Sequence, residues 1–137
     1  MHDSVKFVLA ALAAGALATP PSLFIQKLEN DGEAKVLAEA ATGGRPDPGK
    51  QAILRHGCNG CHNIPGVSGA VGQVGPKLAY MTQRAELAAR LPNDVPDLMA
   101  WIRHPQQISP GSGMPEMNLP EQDVRDIAAY LYTVRGS

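Results

Sequence analysis

The chain has 137 residues with 12 basic and 13 acidic side chains, a formal net charge of −1 that excludes a nucleic-acid footprint and strong electrostatic steering. Only 4% of residues are aromatic, while 14 are glycine and 12 proline, which excludes a large side-chain core. The length suits one small domain plus an extension, stapled by something other than its own apolar bulk.

Val5 to Ala18 is almost wholly apolar, with Lys6 near its front and Ala16-Leu17-Ala18 at its end. It reads as an export signal, or, stretched to Ile25 through Pro20-Pro21, as an uncleaved membrane anchor over residues 5–25. A third reading is a buried apolar helix. From Ser22 to Ala41 the apolar positions Leu23, Leu28, Val36, Leu37 and Ala40 are loosely helical, and Asn30-Asp31-Gly32 predicts a turn between two short helices. Gly43 to Gly49 reads as a linker. The expected organisation is therefore 1–25 signal or anchor, 26–45 helical extension and linker, and 46–137 the functional domain.

Asp47-Pro48 predicts a helix start, with Asp47 as cap, running to about His56 and ended by Gly57. That helix delivers Cys58-Asn59-Gly60-Cys61-His62, which holds the only two cysteines of the chain. The spacing is the attachment signature of c-type haem: two thiols reach the two vinyl groups of one porphyrin, and the adjacent imidazole is carried under the iron. Cys58 and Cys61 would become thioethers and His62 the proximal ligand. A thioredoxin-like pair would need a βαβ pattern that is missing here. A zinc site would have to recruit His56 or His104. A disulfide across two residues would be strained and leaves His62 unexplained. Covalent haem attachment in bacteria takes place outside the cytoplasmic membrane, which agrees with an export signal.

Ile64 to Pro76 is too rich in glycine for a long regular element and suits either close wrapping against a flat ligand or a plain surface loop. Leu78 to Met81 and Arg84 to Leu91 predict a helical turn and then a helix. Asp94 caps the next helix, where Leu98, Trp101 and Ile102 share a face and His104-Pro105 closes it. Between Gly113 and Pro115, Met114 sits in an extended loop that can present a thioether to the open face of the iron, opposite His62. Met117 is its local competitor, and Met81 and Met99 read as packing residues. His56 and His104 read as surface residues. Glu121 to Val134 is the most regular helix of the chain; Tyr130 and Tyr132 are expected to pack on the first domain helix, where Gly49 allows close approach.

With those residues in view, the part from about Pro46 to Arg135 resembles a class I monohaem cytochrome c. More narrowly, it is similar to the cytochrome c domain attached to subunit II of caa3-type oxidases and to its free-standing relatives. The residues that carry the resemblance are Cys58-x-x-Cys61-His62-x-Ile64-Pro65-Gly66, Gly75-Pro76-x-Leu78, Arg84, Leu91-Pro92-Asn93, Leu98-x-x-Trp101-Ile102-x-x-Pro105, Pro110-Gly111-x-x-Met114-Pro115 and Ala129-Tyr130-Leu131. The resemblance implies an all-α fold, short helices and long loops wrapped around one covalent haem c. It implies a Pro76 carbonyl accepting from His62, Leu78, Leu91 and Ile102 lining the haem, and Arg84 and Trp101 near a propionate. Ile53 stands where the family usually carries an aromatic, and the first 45 residues match nothing in it.

The function expected is electron carriage rather than catalysis, with iron cycling between ferric and ferrous under His62 and Met114. The implied place is the periplasmic side of the bacterial membrane, soluble or anchored, and the implied partners are a redox donor and acceptor such as a terminal oxidase or a dehydrogenase complex. Alternatives are a permanent haem subunit of a larger complex, and an enzyme or gas sensor with a weak sixth ligand.

Overall fold

The computed structural model describes residues 2–136, with residues 2–7 and 9–21 as backbone only. The chain forms two compact units, Met1–Glu33 and Ala34–Ser137. The Val5 to Ala18 segment, read as signal or anchor, lies outside the residues whose side chains are described, Val8 excepted. Among the described residues, no helix is long and apolar enough to cross a membrane.

The first element, α1, runs His2–Thr42 without the break expected at Asn30-Asp31-Gly32. Gly32 has no neighbour near the place a Cβ would occupy, so nothing requires it to turn. A helical glycine costs only about 1 kcal/mol, which the alanine-rich run after it offsets. In the second unit Ala38 and Thr42, four apart, are the buried positions of this helix. Its end is tied down: Thr42 Oγ1 donates to the Ala38 carbonyl at 2.7 Å and accepts from Gly44 N–H at 3.1 Å.

The helix α2 spans Pro46–Arg55, starting one residue before the Asp47 expected as its cap. Arg45 takes the cap position in extended backbone, and its N–H donates to Asp126 at 2.7 Å. Asp47 serves instead in the first turn and pairs with Lys35 at 2.9 Å. Gly44 and Gly49, from the stretch read as a linker, are both pressed on α6, Glu121–Thr133. A Cβ on Gly49 would lie 1.9 Å from the Asp126 carbonyl oxygen, so α2 and α6 cross backbone to backbone. Ala52, Ile53, Ile127, Ala128 and Leu131 form the centre of the core there. Ile53 is only 1% exposed, so a β-branched aliphatic fills the place of the family's aromatic.

Between these helices the chain is mostly loop. The helix α3, Cys58–Cys61, is a single turn. Residues Arg84 to Leu91 do not form the helix expected. Two-residue strands β1, Glu86–Leu87, and β2, Leu91–Pro92, pair antiparallel, with Ala88 and Ala89 at φ of 50° and 53° between them. Asn93 decides this locally: its amide donates to the carbonyls of Met81 at 2.5 Å and Arg84 at 2.7 Å, folding the segment back on itself. The turn expected at Leu78 to Met81 is a 3₁₀ turn at Met81–Gln83. The helix α4, Val95–Arg103, is capped as read, Asp94 accepting from Asp97 N–H at 2.9 Å, and it stops before Pro105. Pro105 then opens α5, Pro105–Ile108.

Candidate functional site

Gly57, at φ 72°, turns the chain out of α2 into α3, where one helical turn brings Cys58 and Cys61 to the same side. His62 then leaves in extended backbone while its N–H still donates to the Cys58 carbonyl at 2.9 Å. Neither cysteine is in a disulfide. Burial pushes the Cys58 thiol above its ordinary value, and the neighbouring Cys61 adds to the rise; Cys61 itself is exposed.

The glycine-rich loop is no plain surface loop. Ile64, Val67 and Ala70 are buried anchors, and Ile64 N–H donates to the Ala70 carbonyl at 3.1 Å. Beyond those anchors two glycines lie on the motif: a Cβ on Gly72 would meet the backbone of Gly60 and Cys61 at 2.5 Å, and one on Gly75 the His62 ring at 2.4 Å. Gly75 N–H donates to the Cys61 carbonyl at 2.8 Å. His62 Nδ1 lies 2.8 Å from the Pro76 carbonyl oxygen. A carbonyl only accepts, so Nδ1 carries the proton and Nε2 keeps its lone pair for a metal.

Cys58, Cys61 and His62 line one cleft of about 340 Å³. Pro76, Leu78, Arg84, Trp101, Ile102 and Met114 line the same cleft, so nine of the ten residues expected at the site converge on it. Leu91 is not on that wall. It sits on β2 opposite Leu87 and packs against the core, while Leu87 reaches the cleft. Met81, buried as a packing residue, also lines the cleft. Met117 does so too, while packing on the core.

Other cleft residues carry no chemical signature in the sequence. Ile53, Leu98, Ile127 and Leu131 are wall positions that helical periodicity marks only as core. His56 is a half-buried part of the wall rather than a surface residue, its Nε2 2.7 Å from Asp123 Oδ2. Arg55 donates to the other Asp123 oxygen at 3.1 Å. The His56 hydrogen bond, with Arg55 behind it, holds the Asp123 carboxyl below the usual carboxylate range. His104 is half-buried and pairs with Glu116 at 2.5 Å. Arg84 donates to the carbonyls of Lys77 and Ala79, which fixes its guanidinium at the cleft.

A mostly carbon-walled cleft with two thiols and an unspent imidazole nitrogen at its edge fits a flat, apolar, covalently held metallocycle. The close seat of Gly75 on the imidazole fixes the orientation of that ring. Among the described residues no group of three or more His, Cys, Asp or Glu side chains is gathered as a metal site. Fold and site together define a c-type cytochrome with one haem c held through Cys58 and Cys61.

Residues 46–135 match the family model described as cytochrome c, and the chain belongs to that family. A curated relative, cytochrome c oxidase subunit 2 of Alkalihalophilus pseudofirmus, is 33% identical over 88 residues, covering 64% of this chain and 25% of that protein. The chain thus spans about a quarter of that relative's length. No solved structure matches.

Proposed function

We propose that this chain is an electron carrier whose haem iron is held by His62 and Met114 and whose partners are respiratory redox proteins outside the cytoplasm. The bound haem supplies a centre that takes up and gives back one electron. Cys58 and Cys61 anchor it, so it cannot exchange with solvent. His62 offers Nε2, its ring oriented by Pro76 and backed by Gly75. The single observation that carries this reading is that an oriented imidazole and a methionine of an extended loop line one cleft with both cysteines.

Met114 is favoured over Met117 because Met117 packs against the core. Arg84 and Trp101, both on the cleft wall, suit the propionate end. A permanent His/Met pair keeps the iron environment alike in both oxidation states, so little rearrangement opposes transfer, and it raises the potential above that of a bis-histidine site. The relative is an oxidase subunit, which supports a terminal oxidase as one partner and an extracytoplasmic position for the domain.

A second reading, a permanent haem subunit of a larger membrane or periplasmic complex, is favoured by one feature of the first unit. Leu23, Phe24, Ile25 and Leu28 are all more than half exposed there. Such side chains suit contact with a membrane or another subunit.

The test is an intact mass together with an optical spectrum of protein purified from its native membrane and soluble fractions. A mass increment of one haem is expected, with the ferric far-red band of sulfur ligation present. Met114→Ala should keep the covalent haem, lose that band and bind carbon monoxide when reduced. An unchanged band in that variant would sink the Met114 assignment. Constant co-purification with a large partner would favour the subunit reading.

A further inference from the structure

Met114 stands in a stretch without regular structure, yet its main chain is held from one side chain. Gln106, the second residue of α5, accepts from Gly111 N–H through Oε1 at 3.0 Å. Its Nε2 donates to the Ser112 carbonyl at 2.9 Å, to Ser112 Oγ at 3.1 Å and to the Met114 carbonyl at 2.6 Å. Ser112 Oγ adds a second donor to that Met114 carbonyl at 3.2 Å. Beyond Met114 the loop returns to the same place, because Glu116 accepts from Gln106 N–H at 3.3 Å and pairs with His104 at 2.5 Å. Both arms of the loop are thus tied to the first turn of α5.

An amide side chain combines a two-hydrogen donor with an acceptor, which this arrangement needs. A carboxylate of the same length would keep the partner of Gly111 but face the Ser112 and Met114 carbonyls with negative charge. We propose that Gln106 is a positioning residue that holds the 111–114 segment so that the Met114 thioether stays at the iron. The inference rests on the reading of Met114 as the sixth ligand. Gln106 touches neither haem nor iron in this scheme; it sets how often the sulfur swings away.

The experiment uses the full-length holoprotein with Gln106→Leu, Gln106→Glu and Met114→Ala, each checked for covalent haem and helix content. Two readouts follow the sulfur itself: the pH at which the ferric far-red band disappears, and the rate at which the reduced protein binds carbon monoxide. Both variants lose all three Nε2 contacts, which share the two hydrogens of one amide group, and that loss should raise the open fraction about tenfold. Both Gln106 variants are therefore expected to bind carbon monoxide about tenfold faster and to lose the band roughly one pH unit lower, while Met114→Ala lacks the band throughout. If Gln106→Leu does not fold, Gln106→Glu decides, since it keeps the side-chain length and the Gly111 contact.

Gln106 variants that melt earlier but keep the wild-type band and carbon monoxide rate, beside a Met114→Ala protein without the band, would overturn the positioning role alone. A Met114→Ala protein that retains the band would overturn the ligand reading and this inference with it.

Discussion

Tyr130 ties α6 to the loop after the haem motif through one hydroxyl. From α6 it donates to the Pro65 carbonyl at 2.9 Å, and it lies so close to Gly66 that a Cβ there would meet its oxygen at 2.7 Å. Burial raises its phenol above its ordinary value, with Asp47 adding to the effect. A raised folded value means that the neutral form is the one stabilised, so this contribution is whole below about pH 10 and is lost as pH rises through the folded value. Tyr130→Phe is expected to cost about 1 kcal/mol near neutrality, for the lost hydrogen bond, and to flatten the fall of stability above about pH 10. Urea midpoints of both proteins at neutral and alkaline pH check both parts. The hydrogen bond was not legible in the sequence, because no periodicity tells a buried tyrosine which carbonyl sixty-five residues away it will find.

At the scale of elements, α2 and α6 form the frame that holds the site. Gly49 lets their backbones touch at Asp126, and Asp126 in turn accepts from Arg45 N–H and from Gln122 Nε2 at 2.8 Å. Gly49→Ala has no flexible atom to push aside, since what it meets is main chain. It is expected to destabilise by about 3 kcal/mol or more, with loss of the haem-linked fold at ordinary temperature. Thermal melts and covalent haem content would show it; a melting point unchanged within a degree or two would contradict the close crossing. The helices of this frame were readable in the sequence, α2 from Pro48 and Gly57 at its ends and α6 from its apolar spacing, although the expected cap Asp47 lies inside the first turn of α2. The Arg84 to Leu91 stretch was not, because its alanine-rich composition favours helix while the pull of the Asn93 amide on two distant carbonyls favours a hairpin.

For the molecule as a whole, the core cluster draws every one of its members from residues 52–134, all within the second unit. A chain begun at Ala34 behind a host export signal is expected to attach haem and melt as the full-length protein does. A chain begun at Pro46 loses buried Ala38 and Thr42, the Gly44 seat and the Arg45 hydrogen bond to Asp126. It should be less stable by about 1–3 kcal/mol, a fall of several degrees in melting temperature. Equal melting of the two truncated chains would show that the end of α1 adds nothing to the domain.

The sequence by itself determined the cofactor and its attachment, because thioether chemistry demands two thiols and an imidazole at fixed spacing, and that demand is local. It also determined the frame helices, whose proline and glycine boundaries and periodicity are local as well, and it marked Met114 as a candidate through its glycine and proline neighbours. Tertiary structure decided what depends on residues far apart in the chain. It placed His56 on the cleft wall through Asp123, turned Leu87 rather than Leu91 to the cleft, and seated Gly72 and Gly75 on the haem motif. It also gathered the Met114 loop onto Gln106. Each of these outcomes is a contact between groups whose pairing is selected only when the whole chain closes around the site.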